Sequence, residues 1–413
     1  MLYCFRMKYE GDVQMPPEFD STWDYSTQLV HAGERLMQPP GRPTTTPLYS
    51  SSTYYHESLD AFNAALAGDG YAYGRNGNPT NVAYERACAI AEGGSGAIST
   101  GSGMAAIYTA LLAAGMTLGR PLRTIIVPRD VYGATTVMLR DFFAPVGVTI
   151  HTCDMTDLVA LDELIGAHTI DVIYIEQLSN PLFRVVDMAA ICARAQACGA
   201  RTVVDNTIAT PLVQKPLLLG ADFVCHSATK YFAGHGDVSG GVVVVREPAT
   251  YAALAHNNAT LGMVLGPFEA QQILRGIKTM PLRVERQNAT AMEVTHWLAT
   301  QPTVARVHYP GLRTHPDHAT AARTLGGKYG AMFAFELADS VPLERFIARL
   351  RMILMVSTLG DIYTMISIPA LASHRGLSPA ERAARGITDQ LIRVSIGIEA
   401  PADIIADFAH ALA

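Results

Sequence analysis

The sequence predicts an α/β chain in which a mostly parallel sheet is covered by helices on both faces and followed by a second, smaller α+β domain. Three observations carry that reading. Short β-branched runs recur between about residues 100 and 250, at 124–127, 148–151, 171–175, 202–204, 223–225 and 241–245. Ala- and Leu-rich stretches of helical length, at 105–114, 157–165 and 188–198, lie between several of them. Runs such as Val172-Ile-Tyr-Ile-Glu176 and Thr202-Val-Val-Asp205 are apolar on both faces, as strands buried between two helical layers must be.

The remaining elements follow in order. Residues 1 to about 70 are loop-rich, and the stretch 38–52 is rich in proline and hydroxyl residues without a helical period. So long an irregular segment is either loose or packed against something, such as a neighbouring subunit. Residues 268–300 read as one long helix with apolar side chains spaced at three and four. Strand-like runs follow at 331–337, 351–357, 363–368 and 391–398, alternating with helices.

Composition narrows the class. The 413 residues are 49% apolar and 16% charged, against roughly 25% charged in an average domain. Such a chain has ample material for a large core. A net charge of −6 leaves no basic footprint for nucleic acid or anionic lipid. No apolar run reaches the roughly 18 residues that span a bilayer. Residues 1–20 lack the apolar core of a signal peptide, so a cytoplasmic protein is expected. Six cysteines, at 4, 88, 153, 192, 198 and 225, are too sparse for a disulfide scaffold and read as reduced, buried thiols.

The chemistry concentrates in six stretches. In Phe223-Val-Cys-His-Ser-Ala-Thr-Lys230 an apolar strand runs into Ser227, Thr229 and Lys230, then into a glycine-rich turn. Burial lowers the pKa of a lysine, and a neutral amine can form a Schiff base with an aldehyde. Hydroxyls at 227 and 229 could hold a phosphate beside it; a surface lysine after a strand is the competing reading. Asp205 interrupts an apolar strand and needs a cationic or donor partner, for which a protonated pyridine nitrogen would serve; a strand-end capping Asp is the alternative. Ser99-Thr-Gly-Ser-Gly-Met104 precedes a helix and offers backbone N–H groups to an anion. Tyr71-Ala-Tyr-Gly-Arg75 carries an arginine suited to phosphate. Asp130-Val-Tyr132 sets an aromatic ring after a strand, and Leu391-Ile-Arg393 sets an arginine inside one, where it faces an anion.

Together these stretches resemble the Cys/Met-metabolism family of pyridoxal phosphate enzymes, from about Ser26 onward. The resemblance implies the aspartate-aminotransferase fold (fold type I), with an arm at 1–73 serving a neighbouring subunit, a cofactor-binding large domain at 74–268 and a small domain at 269–413. It implies pyridoxal 5'-phosphate as cofactor, Lys230 as the Schiff-base lysine, Asp205 on the pyridine nitrogen, and Tyr132 stacked on the ring as a proton carrier. Gly103, Met104, Ser227 and Thr229 would hold the phosphate, joined by Tyr73 and Arg75 from the adjacent subunit. Arg393 would bind the substrate α-carboxylate, helped by Asn180 and Thr358. The implied assembly is a homodimer or homotetramer.

Subfamily depends on the distal end of the substrate. Val137 stands where similar cystathionine synthases and β-lyases carry Arg, and Tyr363 stands where cystathionine γ-lyases carry Glu. Ala134 replaces the Cys of the best-known methionine γ-lyases. These residues favour a small or apolar distal group and γ-elimination from a methionine- or homoserine-like amino acid. The alternatives are γ-replacement on an O-acylhomoserine and, more distantly, transamination. No metal is expected: His308, His315 and His318 share a loop, but the family carries a similar loop without metal. Gly101-x-Gly103-x-x-Ala106 is a weak dinucleotide pattern without the acidic residue expected about 20 positions on.

Overall fold

The computed structural model describes residues 22–33 and 43–413. Readings made on Cys4, on residues 1–20 and on parts of the N-terminal arm lie outside them.

Seven strands form the larger sheet: β1 (Gly96–Thr100), β2 (Thr124–Pro128), β3 (Thr149–Cys153), β4 (Val172–Glu176), β5 (Arg201–Asp205), β6 (Phe223–Ser227) and β7 (Gly241–Val245). Their order is β1-β7-β6-β5-β4-β2-β3. From β6 to β3 every pair is parallel, while β7 runs antiparallel to both β6 and β1. Parallel strands need crossovers, and the helices Leu158–Ala167, from β3 to β4, and Met188–Cys198, from β4 to β5, supply two of them. Alternate side chains feed two cores. Ile173, Ile175, Val204 and Val224 pack into one, and Val172, Tyr174, Val203 and Phe223 into the other.

The smaller sheet contains β8 (Val304–His308), β9 (Met332–Leu337), β10 (Leu354–Met355), β11 (Met365–Ser367) and β12 (Leu391–Ser395), in the order β10-β11-β12-β9-β8. Its core joins Phe333 and Phe335 of β9 to Leu298, Phe346 and Phe408 from the covering helices. The segments meet across the molecule: Asp317 accepts from Arg184 Nε at 2.6 Å and from the Val185 N–H at 3.0 Å.

Several local expectations need correction. The single helix over 268–300 is two helices, Pro267–Ile277 and Met280–Leu298. Pro281 lacks an N–H, and its ring would collide with the Ile277 carbonyl in a continuous helix. The run 351–357 contracts to the exposed pair Leu354–Met355. β1 and β8 are absent from the predicted strands, and both lie at sheet edges. β1 is built from small residues because helices press on it: a Cβ on Gly96 would lie 2.8 Å from the Tyr251 ring. Among the described residues, no helix is long and apolar enough to cross a membrane.

Candidate active site

The carboxyl ends of β4, β5 and β6 face one cleft of about 630 Å³, the usual place for a ligand in an open parallel sheet. The larger sheet contributes Gly103, Met104, Tyr132, Glu176, Asn180, Asp205, Ser227, Thr229 and Lys230 to its lining. The smaller sheet and its loops contribute Thr358, Arg375 and Arg393.

Two carboxylates form the floor. Glu176 and Asp205 end adjacent strands in register, and neither makes an ion pair among the described residues. Burial raises the Asp205 carboxyl above its ordinary value, against the pull of Thr207, whose N–H donates to Oδ1 at 2.9 Å. Burial, and then the Asp205 charge, raise Glu176 further, while its Oε1 accepts from the Tyr132 N–H at 2.8 Å. Two carboxyls so placed, with no ion-pair partner among the described residues, are costly to ionise, so this floor favours a ligand that brings a positive charge or a proton.

Lys230 follows β6 and donates from Nζ to Thr358 Oγ1 at 2.7 Å. Burial first, and then the Arg393 charge, lower its pKa, which favours the neutral amine. Arg393 sits buried in β12. Its Nη1 donates to Asn180 Oδ1 at 3.4 Å and its Nη2 to the Thr358 carbonyl at 3.0 Å. Burial pushes its pKa down to about 10, and no carboxylate faces it among the described residues.

At the cleft's other end the helix Gly103–Thr117 begins. Ser102 caps it, accepting from the Ala105 N–H at 3.1 Å, and the first-turn N–H groups of Gly103 and Met104 have no acceptor within the helix. A Cβ on Gly103 would stand 2.7 Å from Ser227 Cβ, so glycine is what lets helix and strand converge there. The Ser227 N–H donates to Thr207 Oγ1 at 2.8 Å, and the Thr229 hydroxyl exchanges hydrogen bonds with Gly240. The Gly103 and Met104 N–H groups are thus the donors this end of the cleft offers to an anion, with the Ser227 and Thr229 side chains beside them.

Other residues singled out from the sequence lie elsewhere. Tyr73 and Arg75 line a separate cavity of about 520 Å³, where Arg75 Nη1 donates to the Ala259 carbonyl at 2.5 Å and stacks 5.5 Å from the Tyr73 ring centre. Tyr363 and Val137 are exposed and outside the cleft lining, so the distal expectation built on them has no counterpart in this chain's cleft walls. The three loop histidines face separate acceptors: Glu336 Oε1 for His308, the Leu182 carbonyl for His315 and the Pro310 carbonyl for His318. Sequence reasoning missed Glu176, Thr207 and Arg375. Glu176 was findable, because it interrupts an apolar run just as Asp205 does; Arg375 sits in an irregular loop with no periodic signal.

The comparisons agree with this geometry. A cystathionine β-lyase of Coxiella burnetii is 37% identical over 94% of this chain and 97% of its own length. An L-methionine γ-lyase of Pseudomonas putida is also 37% identical, over 94% and 97%. The crystal structure of cystathionine γ-synthase from Xanthomonas oryzae pv. oryzae in complex with cystathionine superposes with a TM-score of 0.88 at 36% identity, covering 94% of this chain and 98% of that one. Three reactions thus stand at nearly equal distance, sharing fold type I. The model of the Cys/Met metabolism PLP-dependent enzyme family matches residues 26–413, and the chain belongs to that family.

Proposed function

We propose that the protein catalyses γ-elimination from a methionine- or homoserine-type amino acid, releasing the γ-substituent, a 2-oxo acid and ammonia. The observation that carries this reading is Lys230: a half-buried amine with a lowered pKa, on a flexible stem, hydrogen-bonded in the cleft between Asp205 and Arg393. Elimination at Cγ removes protons from both Cα and Cβ, so one mobile base must reach both.

Pyridoxal phosphate fits the residues present. The unpaired buried carboxyl of Asp205 suits a protonated ring nitrogen, and the close approach at Gly103 suits a phosphate. Lys230 Nζ would hold the aldehyde carbon, while Gly103, Met104, Ser227 and Thr229 would hold the phosphate. Once bound, the cofactor supplies an electron sink for the pair left at Cα. The chain does the rest. Arg393, with Asn180 and Thr358, would fix the α-carboxylate. Lys230 Nζ, freed when the substrate amine takes its place, would take the α-proton, pass it on, and then as a neutral amine take the β-proton, while Tyr132 Oη would give a proton to the departing group. Tyr73 and Arg75 would complete the phosphate site of a second copy of this chain in a homodimer or homotetramer.

The test is a panel of methionine, homocysteine, cystathionine, cysteine and acylhomoserines, with and without added thiol, read by oxo acid, ammonia and amino-acid product. A four-carbon oxo acid from the γ-substituted substrates is the expected result. Pyruvate from cystathionine as the dominant product would overturn the proposal in favour of β-elimination. Amino-acid product formed only with thiol present would point to γ-replacement.

A further inference from the structure

Asp317 breaks a local rule. It stands at the start of the helix His318–Thr324, where an aspartate ordinarily accepts a first-turn N–H, yet its side chain makes no such cap. Its carboxylate reaches instead to the connection after β4. Oδ2 accepts from Arg184 Nε at 2.6 Å and from the Val185 N–H at 3.0 Å, and Oδ1 accepts from Arg184 Nη2 at 3.1 Å. Arg184 Nη2 also donates to Thr156 Oγ1 at 2.7 Å. The same loop attaches a second time through His315. Its Nδ1 accepts from the Asp317 N–H at 3.2 Å, which leaves the proton on Nε2, 3.2 Å from the Leu182 carbonyl oxygen. Burial lowers the pKa of His315 and so favours the neutral ring that this arrangement needs.

The segment held in this way is a tight turn that carries Asn180. Leu178 and Val185 bridge its base, the Ser179 N–H donates to the Arg184 carbonyl at 3.1 Å, and the Phe183 N–H donates to the Ser179 carbonyl at 3.2 Å. Phe183 is fully buried and takes a φ of 55°, in the left-handed region that a bulky side chain avoids. Such a turn keeps its shape only where its surroundings over-determine it. Asp317 and His315 do so from outside. Neither lines the cleft, whereas Asn180 does, and its Oδ1 accepts from Arg393 Nη1 at 3.4 Å.

We infer that Asp317, with His315, is a positioning residue for Asn180 and through it sets the strength of the grip on the substrate α-carboxylate. The inference rests on the α-carboxylate role proposed above for Arg393 and Asn180. Arg393 comes from the smaller sheet and Asn180 from a loop of the larger one, so the two meet one carboxylate only while the sheets keep their relative position. The Asp317 clamp crosses that same boundary, from the loop after β8 to the loop after β4. Its two parallel carboxylate–guanidinium hydrogen bonds add geometric specificity as well as strength, and leave little room for slip.

The test uses the cofactor-loaded protein and two ligands with the same side chain, L-norleucine and pentylamine, of which the second lacks the α-carboxylate. Calorimetry gives the ratio of their dissociation constants, which reads the carboxylate grip alone. In Asp317→Ala the preference for norleucine should fall about fivefold, the equivalent of ~1 kcal/mol, while pentylamine binding and cofactor affinity hold. Asp317→Asn keeps an oxygen for the Val185 N–H but loses the charge, so its preference should fall in the same direction by a smaller factor; it decides the matter if Asp317→Ala does not fold. Asn180→Ala should lower the preference as well. Adding Asp317→Ala to Asn180→Ala should lower it no further, because a residue that acts through another contributes nothing once that one is gone. An unchanged preference in every Asp317 variant that folds, or a full further fall in the double variant, overturns the inference. An unchanged preference in Asn180→Ala overturns the α-carboxylate role of Asn180, and the inference with it.

Discussion

Gly103→Ala is the sharpest test of the anion cradle. The added methyl would lie 2.7 Å from Ser227 Cβ, 2.9 Å from Ser227 Cα and 3.2 Å from the Ser227 nitrogen. Two of those atoms are backbone at the end of a buried strand and cannot swing aside, so the helix start must retreat by several tenths of an ångström. Overpacking of this kind costs about 1–3 kcal/mol. The better helix propensity of alanine offsets at most about 1 kcal/mol. A net loss of about 1–2 kcal/mol in folding stability is therefore expected. Retreat also moves the Gly103 and Met104 N–H groups away from the cradle, which should weaken pyridoxal phosphate binding about tenfold or more, since hydrogen bonds weaken steeply with poor geometry. The same loop holds its own control. A Cβ on Gly101 meets only the Val264 carbonyl oxygen, at an ordinary 3.6 Å. Denaturant unfolding of the cofactor-free chains and cofactor titration by absorbance would measure both effects. If Gly103→Ala matches Gly101→Ala in stability and in affinity, the close approach does not shape the cradle.

Three further outcomes follow from the site. Tyr132→Phe should keep cofactor absorbance yet lose most turnover; unchanged kcat would remove Tyr132 from proton transfer. Because burial raises the Glu176 carboxyl above its ordinary 4.5, its contribution to the cofactor-free fold is complete below that value and is lost as pH rises through the raised one. Glu176→Gln keeps the acceptor for the Tyr132 N–H and should flatten that loss in denaturation curves as pH rises above the ordinary carboxyl value; an unaltered slope would refute the assignment. Arg75→Ala and Lys230→Ala chains, each inactive alone, should regain part of their activity when mixed, through hybrid sites; verified mixed dimers without recovery would confine Arg75 to its own chain.

Much of this site is legible because burial makes polar residues conspicuous. Asp205 and Lys230 stand out against apolar runs, and each lines the cleft at the end of a buried strand. Glu176 obeyed the same rule but was absorbed into the pattern of its strand. β1 and β8 escape periodicity because an edge strand of small or polar residues carries little apolar signal. The break at Lys278 and Thr279 turns on one proline ring against one carbonyl, which spacing at three and four does not register. Tyr73 and Arg75 pose a different problem: order along a chain does not say which copy a residue serves. Arg375 is visible only once its loop is folded against Gly133, where an added Cβ would lie 2.9 Å from the Ser373 carbonyl oxygen.

The walls of the cleft come from distant parts of the chain. Every group proposed to hold the cofactor within one subunit lies on β1–β7 or the connections between them, all before Val245. Thr358 and Arg393 come more than a hundred residues later. During synthesis at roughly 5–20 residues per second, the larger sheet leaves the ribosome many seconds before β12 exists. Until the later segments follow, Lys230 lacks its Thr358 acceptor, and the core beneath the larger sheet lacks the side chains of Ile273, Met280, Met332 and Leu391 that complete it.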